Sequence, residues 1–321
     1  MPPAVAARVV VVTWNGAHLL PACLDSLESQ TVRDSLDVVV VDNASQDGTA
    51  ELLADRYPGV RVVRAPRNLG FAGGAALGMR DRTTEHVVLL NNDATFAPDA
   101  VEVLLGAFDG PGNERVGAAT ARILLTGTEP VLVNSTGNVL TAQGAGTDRD
   151  YRRPLGTEST DPDVFGFCGG AAALRREMLD DVGGFDPTLF LYYEDTDLSW
   201  RMRAAGWSVR YVPGAQAVHE HAASSGTDSP VFRYYNTRNS LVVLTRHAPA
   251  ALVARSVGRQ SAGLFRAVVR RSTAGTTRAR ARGLAHYVGR LPRTLGERRR
   301  LWRDATVTRS TVAQYVGRGA A

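Results

Sequence analysis

Four short runs rich in valine and leucine, Arg8–Val12, Asp37–Val41, Val60–Arg64 and His86–Leu90, punctuate the N-terminal third of the chain. Runs apolar at consecutive positions suit strands buried on both faces, because a half-exposed strand would alternate. Between them the pattern changes to a helical spacing over Leu19–Leu27, Thr49–Tyr57 and Ala75–Arg80, with a further helix after Pro98. Strands alternating with helices predict an α/β fold, a mostly parallel, Rossmann-like sheet with helices on both faces.

Beyond this the pattern loosens. Residues 122–163 are rich in Gly, Thr and Asp and read as a hairpin or flexible loop. A second ordered block opens at Phe165-Gly166-Phe167-Cys168-Gly169-Gly170 and continues through a helical Arg175–Asp181 and a strand-like Val209–Val212. No internal repeat is present. The apolar run Val9–Val12 breaks at once into Thr13-Trp14-Asn15-Gly16, so it reads as a first buried strand, not a signal peptide. No stretch approaches the ~18 apolar residues of a membrane span. The expectation is a protein made and kept in the cytoplasm, with Cys23 and Cys168 as reduced thiols far apart in sequence.

With 321 residues, 44% hydrophobic and 21% charged, the chain has material for one large domain plus an appendage. It lacks lysine, so all 37 basic residues are arginines. Charge divides it: from Arg246 onward there are 17 arginines against two acids, Glu297 and Asp304, whereas residues 1–245 carry 20 arginines and 30 acids. An acidic body with a basic tail is the picture.

In open α/β sheets ligands bind beyond the carboxyl ends of the strands. Polar pairs gather there in register: Thr13 and Asn15, Asp42 and Ser45, Arg67 and Asn68, Asn92 and Asp93. Four such clusters favour a nucleotide crevice over a set of ordinary loops.

Several ordered motifs carry a family resemblance. They are Val40-Val41-Asp42-Asn43-Ala44-Ser45-Gln46-Asp47-Gly48-Thr49, Asn68-Leu69-Gly70-Phe71-Ala72-Gly73-Gly74, Leu90-Asn91-Asn92-Asp93, and Glu194-Asp195-x-Asp197 with Arg201. Over roughly residues 8–247 the chain resembles glycosyltransferase family 2, and is most similar to its rhamnosyltransferase-like branch. The resemblance implies the GT-A fold and transfer of a sugar from a nucleotide diphosphate, with inversion. On this reading residues 1–247 form the catalytic domain, with 1–121 binding nucleotide and 122–247 carrying acceptor and catalytic groups. Residues 248–321 form an Arg-rich helical extension.

Residue by residue, the resemblance places Asp42 where a carboxylate accepts N3–H of uracil or thymine, although a turn or helix-cap role suits it too. Thr13, Asn15 and Ser45 would line base and ribose, and Arg67, Asn68 and Gly70 the loop that follows. Asn92 and Asp93 occupy the family's DxD-type position, with Asp93 as anchor for Mg2+ or Mn2+. A diphosphate supplies most ligands of a hard cation, so the protein need add only one or two. This motif has Asn where many relatives have a second acid. His219, in Ala217-Val218-His219-Glu220-His221, matches a metal-binding histidine of the family, with His221 the second candidate.

Asp195 is the expected base, taking the proton of the acceptor hydroxyl as the diphosphate leaves from the opposite face. One displacement inverts the anomeric centre through an oxocarbenium-like state. Glu194 sits beside it as a substrate contact. Asp197 suits the helix N-terminus and an ion pair with Arg201 four residues on. Gly169 and Gly170 would let backbone approach the donor sugar. Trp200 and Trp207 read as core in preference to a sugar platform. Tyr235-Asn236-x-Arg238-Asn239 also matches a family segment, without a derivable role.

The tail interleaves Arg255, Arg259, Arg266, Arg270 and Arg271 with Val, Leu and Phe. Such a helix suits peripheral contact with an anionic membrane, at the inner face of the cell membrane, or packs on the body as a solvated appendage. Nucleic acid is not expected, because no recognition motif accompanies the arginines. Expected partners are a dTDP- or UDP-sugar donor and a saccharide, glycolipid or small-molecule acceptor. Two other functions use some of the same features. A sugar-1-phosphate nucleotidyltransferase needs a Gly- and basic-rich loop after the first strand, and Trp14-Asn15-Gly16-Ala17 is not one. A non-catalytic membrane or nucleic-acid binder would leave Asp93 and Asp195 without purpose.

Overall fold

The structure is a computed structural model that describes residues 6–220, 229–270 and 274–319. His221 and Arg271 lie outside the described residues. The N-terminal elements follow the valine runs: β1 Ala7–Thr13, α1 Leu20–Glu28, β2 Leu36–Asp42, α2 Thr49–Arg56, β3 Arg61–Arg64, α3 Gly70–Gly78 and β4 His86–Asn91. β3, β2, β1 and β4 lie side by side in that order, all parallel. Both faces of β1 are covered. Val9 and Val11 pack in the layer of Leu20, Leu24 and Leu27 of α1, and Val10 and Val12 in the layer of Ala75 of α3.

The chain reverses its direction of travel across the sheet at β1, with β2 on one side and β4 on the other. This reversal opens the crevice expected of doubly wound sheets. After β4 come β5 Ala94–Phe96, α4 Ala100–Gly106 and β6 Val116–Leu125. The segment 122–163 is not a loop throughout: β6 runs through its start, and β7 Val133–Ser135, β8 Asn138–Leu140 and β9 Gly146–Asp148 follow, with β8 and β9 paired as a hairpin.

β10 Ala171–Arg175 inserts between β4 and β6, antiparallel to both. α5 Arg176–Val182 and α6 Glu194–Ala204 then lead to β11 Ser208–His219, which lies parallel to β6 and antiparallel to β5. The sheet is therefore parallel from β3 to β4 and mixed beyond β4. β11 is far longer than Val209–Val212. A bulge between Val212 and Gln216 lets it pass Pro213 and Gly214 and re-enter the ladder, ending with His219 opposite Ala94. α3 likewise begins at Gly70, before the expected Ala75. Its glycine-rich opening reads as loop by propensity, yet Gly70, Ala72, Gly73 and Gly74 are buried there.

α7 Pro230–His247 closes the body, and the tail after it consists of α8 Ala250–Val269, α9 Ala274–Leu301 and the short α10 Arg309–Val312. It is bound to the body. Arg246 pairs with Asp186, Asp197 and Glu297 at 2.7–3.0 Å, and Trp302 Nε1 donates to His247 Nδ1 at 3.2 Å. Tyr315 donates to Asp163, and Gly317 N–H to the Leu140 carbonyl. Trp200 and Trp207 are buried as core residues. Among the described residues no helix is long and apolar enough to cross a membrane.

Candidate active site

The site grows from the carboxyl ends of the parallel strands. Asp42 closes β2 opposite Thr13 of β1 and is fully buried. Its Oδ1 accepts the Ser45 N–H at 2.8 Å, while Oδ2 has no hydrogen-bond partner and lies 3.5 Å from Arg64 Nε. A buried carboxylate oxygen with an ion-pair partner but no hydrogen bond keeps capacity to accept one, so it marks a place where a donor is expected to arrive. Ser45 and Arg64, with Ala44, Gln46, Ala65 and Pro66, line an open cleft of about 480 Å³. Asn15, held at φ +50°, joins the loops: its N–H donates to Ser45 Oγ and its Oδ1 accepts from Gln46 N–H. Asn68 accepts from the Gly70 N–H, and Asn43 bridges Asn68, Leu69 and Gly70. Arg67 is exposed, and Arg64 is the arginine beside Asp42.

Thr13 connects this end to the next. Its Oγ1 accepts from Asn92 Nδ2 at 3.0 Å. Asp93, buried, stands 3.0 Å from His219 Nε2. The 126-residue gap between them is closed by the β11–β5 pairing, which sets His219 beside Ala94. His219 Nδ1 lies 3.1 Å from Asn134 Oδ1. If Nδ1–H is given to Asn134, Nε2 turns a lone pair toward a carboxylate, an arrangement that a shared cation satisfies. The donor set, one carboxylate and one imidazole, fits a divalent ion that takes its remaining ligands from phosphate and water. Among the described residues no group of three or more His, Cys, Asp or Glu is gathered to hold a metal unaided.

Asp195 lies in the first turn of α6. Its Oδ2 accepts from Gly169 N–H at 3.2 Å and its Oδ1 from Thr196 N–H at 2.6 Å. Burial raises its carboxyl pKa, opposed by hydrogen bonds from Asn138, Gly169 and Thr196. Glu194 is pushed well above its ordinary range by burial and by the Asp195 charge, and its Oε2 has no partner. Gly170 is tied to the strand end that carries Asn92 and Asp93, since its carbonyl accepts from Asn91 N–H at 3.0 Å. A Cβ at Gly169 would meet Phe71 at 3.5 Å and Asp195 at 3.8 Å, so the protein alone does not require glycine there.

The loop before α6 is held in an unusual form. Phe190, Tyr192 and Tyr193 all have positive φ, between +66° and +72°, a conformation that bulky residues resist. Asn239 of α7 holds it, its Nδ2 lying 2.8–2.9 Å from the carbonyls of Leu189, Leu191 and Tyr192. Arg238 adds bonds to the carbonyls of Thr188 and Leu189. That is what the Tyr235-Asn236-x-Arg238-Asn239 segment does: it fixes the entry of the helix bearing Asp195. Asp197 and Arg201 form the expected pair at 3.0 Å.

A model of the family described as glycosyl transferase family 2 matches residues 8–183, which span the strand-end motifs from Thr13 to Gly170. The chain belongs to glycosyltransferase family 2. It is a glycosyltransferase of GT-A fold, which sets aside the nucleotidyltransferase and pure-binder alternatives. The N-acetylglucosaminyl-diphospho-decaprenol L-rhamnosyltransferase of Mycobacterium tuberculosis is 30% identical over 245 residues, covering 68% of this chain and 78% of that enzyme. The pre-mycofactocin glycosyltransferase of the same organism is 29% identical, over 78% of this chain and 52% of its own length. Two solved structures share the fold. The mannosyltransferase PcManGT from Pyrobaculum calidifontis, in complex with GDP-Man and Mn2+, has a TM-score of 0.55 at 21% identity, over 92% of this chain and 84% of that one. GalNAc-T7, solved with UDP, GalNAc and Mn2+, has a TM-score of 0.62 at 18% identity over 78% of this chain, which spans 49% of that protein.

One group at the site escaped sequence reasoning. Asp148, at the end of β9, lies within hydrogen-bonding reach of Ser135 and Cys168 and feels the charges of Asp195 and His219. Burial pushes its carboxyl up to about 6, with Asp195 adding to the rise and Ser135 opposing it. It sits in an irregular Gly/Thr/Asp stretch without a motif. The only local signal was an acid in a hairpin strand.

Proposed function

We propose that this glycosyltransferase inverts the anomeric centre of a pyrimidine-nucleotide sugar, dTDP- or UDP-linked, with a divalent cation and a single base, Asp195. The observation that carries the reading is the line of contacts along the strand ends. Asp42 adjoins Thr13, Thr13 holds Asn92, Asp93 meets His219, and Gly169–Gly170 joins Asn91 to Asp195. A base, a diphosphate and a sugar laid along that line would meet an acceptor for N3–H, then a cation site, then a proton acceptor. Asp42 Oδ2 suits uracil or thymine, whose N3–H donates. Thr13, Asn15 and Ser45 would flank base and ribose, with Asn68, Gly70 and Arg67 in the loop beside them.

Asp93 and His219 would hold Mg2+ or Mn2+, with Asn92 beside them. When bound, such an ion offsets the charge developing on the leaving diphosphate. The chain's own residues do the rest. Gly169 and Thr196 aim the Asp195 carboxylate by hydrogen bonds, and its raised pKa makes it a stronger proton acceptor for a sugar hydroxyl. Glu194, buried beside Asp195 with its pKa raised by burial and by the Asp195 charge, would present its carboxyl toward the sugar.

The M. tuberculosis relative, named for a lipid-diphosphate acceptor and for rhamnose, supports dTDP-rhamnose as donor and a polyprenyl-linked glycan as acceptor. With such an acceptor the enzyme would work at the inner face of the cell membrane. We assign nucleotide binding to residues 1–121, acceptor and catalytic groups to 122–247, and surface contact to 248–321.

The test is thermal stability against UDP, dTDP and GDP, with and without Mn2+. A ligand bound only by the folded state raises the midpoint by mass action, ~2.7 kcal/mol at a hundredfold excess over Kd. A Mn2+-dependent rise with a pyrimidine diphosphate, lost in Asp93→Ala, supports the reading. A rise with GDP alone refutes the pyrimidine assignment.

A further inference from the structure

The tail holds a cluster of arginines that the transfer reaction does not use. α8 turns Leu252, Ser256 and Gln260 inward, Gln260 reaching Ser240 of α7. From Ser261 to Arg270 none of its residues is buried. In this stretch Arg266 of α8 and Arg270 at its C-terminal cap, with Arg280 and Thr277 of α9 and Arg233 of α7, line a cleft of about 240 Å³. Gly263 also lines it. A Cβ there would lie 2.6 Å from Arg280 Nη1, so glycine lets α9's guanidinium close against α8.

Among the described residues Arg259, Arg266, Arg270 and Arg280 form no ion pair with a carboxylate. Glu297, one of only two acids after residue 246, is taken by Arg246 and Arg293. Burial holds the Arg280 guanidinium below its ordinary value, and the charges of Arg233, Arg259 and Arg266 add to that. Thr277 Oγ1, in the same cleft, is a buried hydroxyl without a hydrogen-bond partner. Gathered cations and an unmet donor in one concavity are what a phosphate group would satisfy.

The neighbouring surface says where that phosphate comes from. Phe265, Val268 and Val269, on the same turns of α8 as Arg266 and Arg270, are 69%, 58% and 65% exposed. A soluble anion has no use for exposed apolar side chains, whereas a bilayer offers phosphates with acyl chains beneath them. The cleft also lies near the acceptor side of the site. The charge of Arg259 reaches Tyr193, the residue before Glu194 and Asp195, and Phe232, adjacent to Arg233, packs edge-on against Tyr192 at 5.2 Å.

We propose that this cleft is a lipid-phosphate site. The headgroup phosphate of an anionic bilayer lipid enters between Arg266, Arg270 and Arg280 while Phe265, Val268 and Val269 enter the acyl boundary, docking the enzyme on the membrane. The inference deepens the surface contact given to residues 248–321 above, and rests on that reading.

The experiment is co-sedimentation of the full chain with vesicles of phosphatidylcholine alone and of phosphatidylcholine with phosphatidylglycerol. The expected result is binding to the second kind only, weakened by salt. Each arginine at such a surface is worth about fivefold in partitioning, so Arg266→Gln with Arg270→Gln lowers binding roughly 25-fold. Arg266→Lys with Arg270→Lys keeps the charge and most of the binding. Phe265→Ser with Val269→Ser also lowers binding, at every salt concentration. Equal binding to both vesicles, or no loss in the glutamine pair, overturns the proposal. So does saturation of the cleft by inorganic pyrophosphate in a protein that ignores vesicles, which would make it a site for a soluble anion. The nucleotide-dependent rise in melting point, measured on the same variants, keeps the two readings apart. It persists if only the docking surface is lost, and is absent in the wild type if the donor reading is wrong.

Discussion

Arg246→Met is the most informative single change outside the site, because it removes the cation on which body and tail converge. The guanidinium has 3% of its surface exposed and touches three carboxylates: Asp186 at 2.7 Å, Glu297 at 2.8 Å and Asp197 at 3.0 Å. Removing one partner of a buried ion pair costs about 3–5 kcal/mol, most of it from the charges left behind. Here those charges keep some company. Asp197 retains Arg201 and His247, each at 3.0 Å, and Glu297 retains Arg293 at 2.9 Å. Asp186 loses its cation but keeps a quarter of its side chain in water and accepts from Thr188 N–H. Methionine fills most of the vacated volume. The lower end of the range applies, about 3 kcal/mol, or roughly 4–5 °C in Tm for a chain of 321 residues. The control is Arg293→Met, which removes a cation from the same Glu297 but is 65% exposed, so its effect is under about 1 kcal/mol. Both are read by urea and thermal denaturation followed by tryptophan fluorescence, Trp200 being stacked on His247 within the network. Equal effects of the two substitutions, or a loss under about 1 kcal/mol for Arg246→Met, would refute this account of how the tail is held.

Three further outcomes are expected. Asp195→Asn keeps the size of the side chain but loses the proton acceptor, so kcat falls by about 10²–10⁴ with nucleotide binding unchanged; a loss of less than about tenfold in a transfer assay would move the base elsewhere. Gly70→Ala places a side chain at φ +70° and a Cβ 2.1 Å from the Phe190 carbonyl oxygen, so stability drops by at least about 2 kcal/mol in urea titration; a cost under about 0.5 kcal/mol contradicts that contact. The last outcome concerns acid. Burial alone would raise Asp197, but Arg201, the His247 hydrogen bond and Arg246 outweigh it and hold the carboxyl well below its ordinary value. A depressed carboxyl contributes stability above its unfolded pKa of about 3.9 and loses it as pH falls toward the folded value. The Tm gap between wild type and Asp197→Asn is therefore expected to be constant near neutrality and to narrow below about pH 4; a gap that widens in acid would mean the carboxyl is not ionised in the fold.

The sequence by itself determined the parallel half of the sheet, because a strand buried on both faces must be apolar at consecutive positions, and β1 and β2 carry that requirement locally. It also placed Asp42, Asn92 and Asp93 at strand ends, and Asp195 in the first turn of a helix, since these follow from position along single elements. Tertiary structure alone decided what no local period encodes. The antiparallel insertion of β10 between β4 and β6 depends on pairing across the chain. The bulge in β11, which carries His219 to Asp93, is a property of two strands together. Asp148 joins the site only because the β8–β9 hairpin brings Gly146 against Thr196 in the first turn of α6, and the glycine-rich start of α3 is helical because it is buried. Asn239, read as a motif without a role, gained one when α7 packed against a loop whose backbone needed holding. Local pattern fixes which elements form and which end of each is polar, whereas the partner of every side chain at the site comes from a contact between segments distant in sequence.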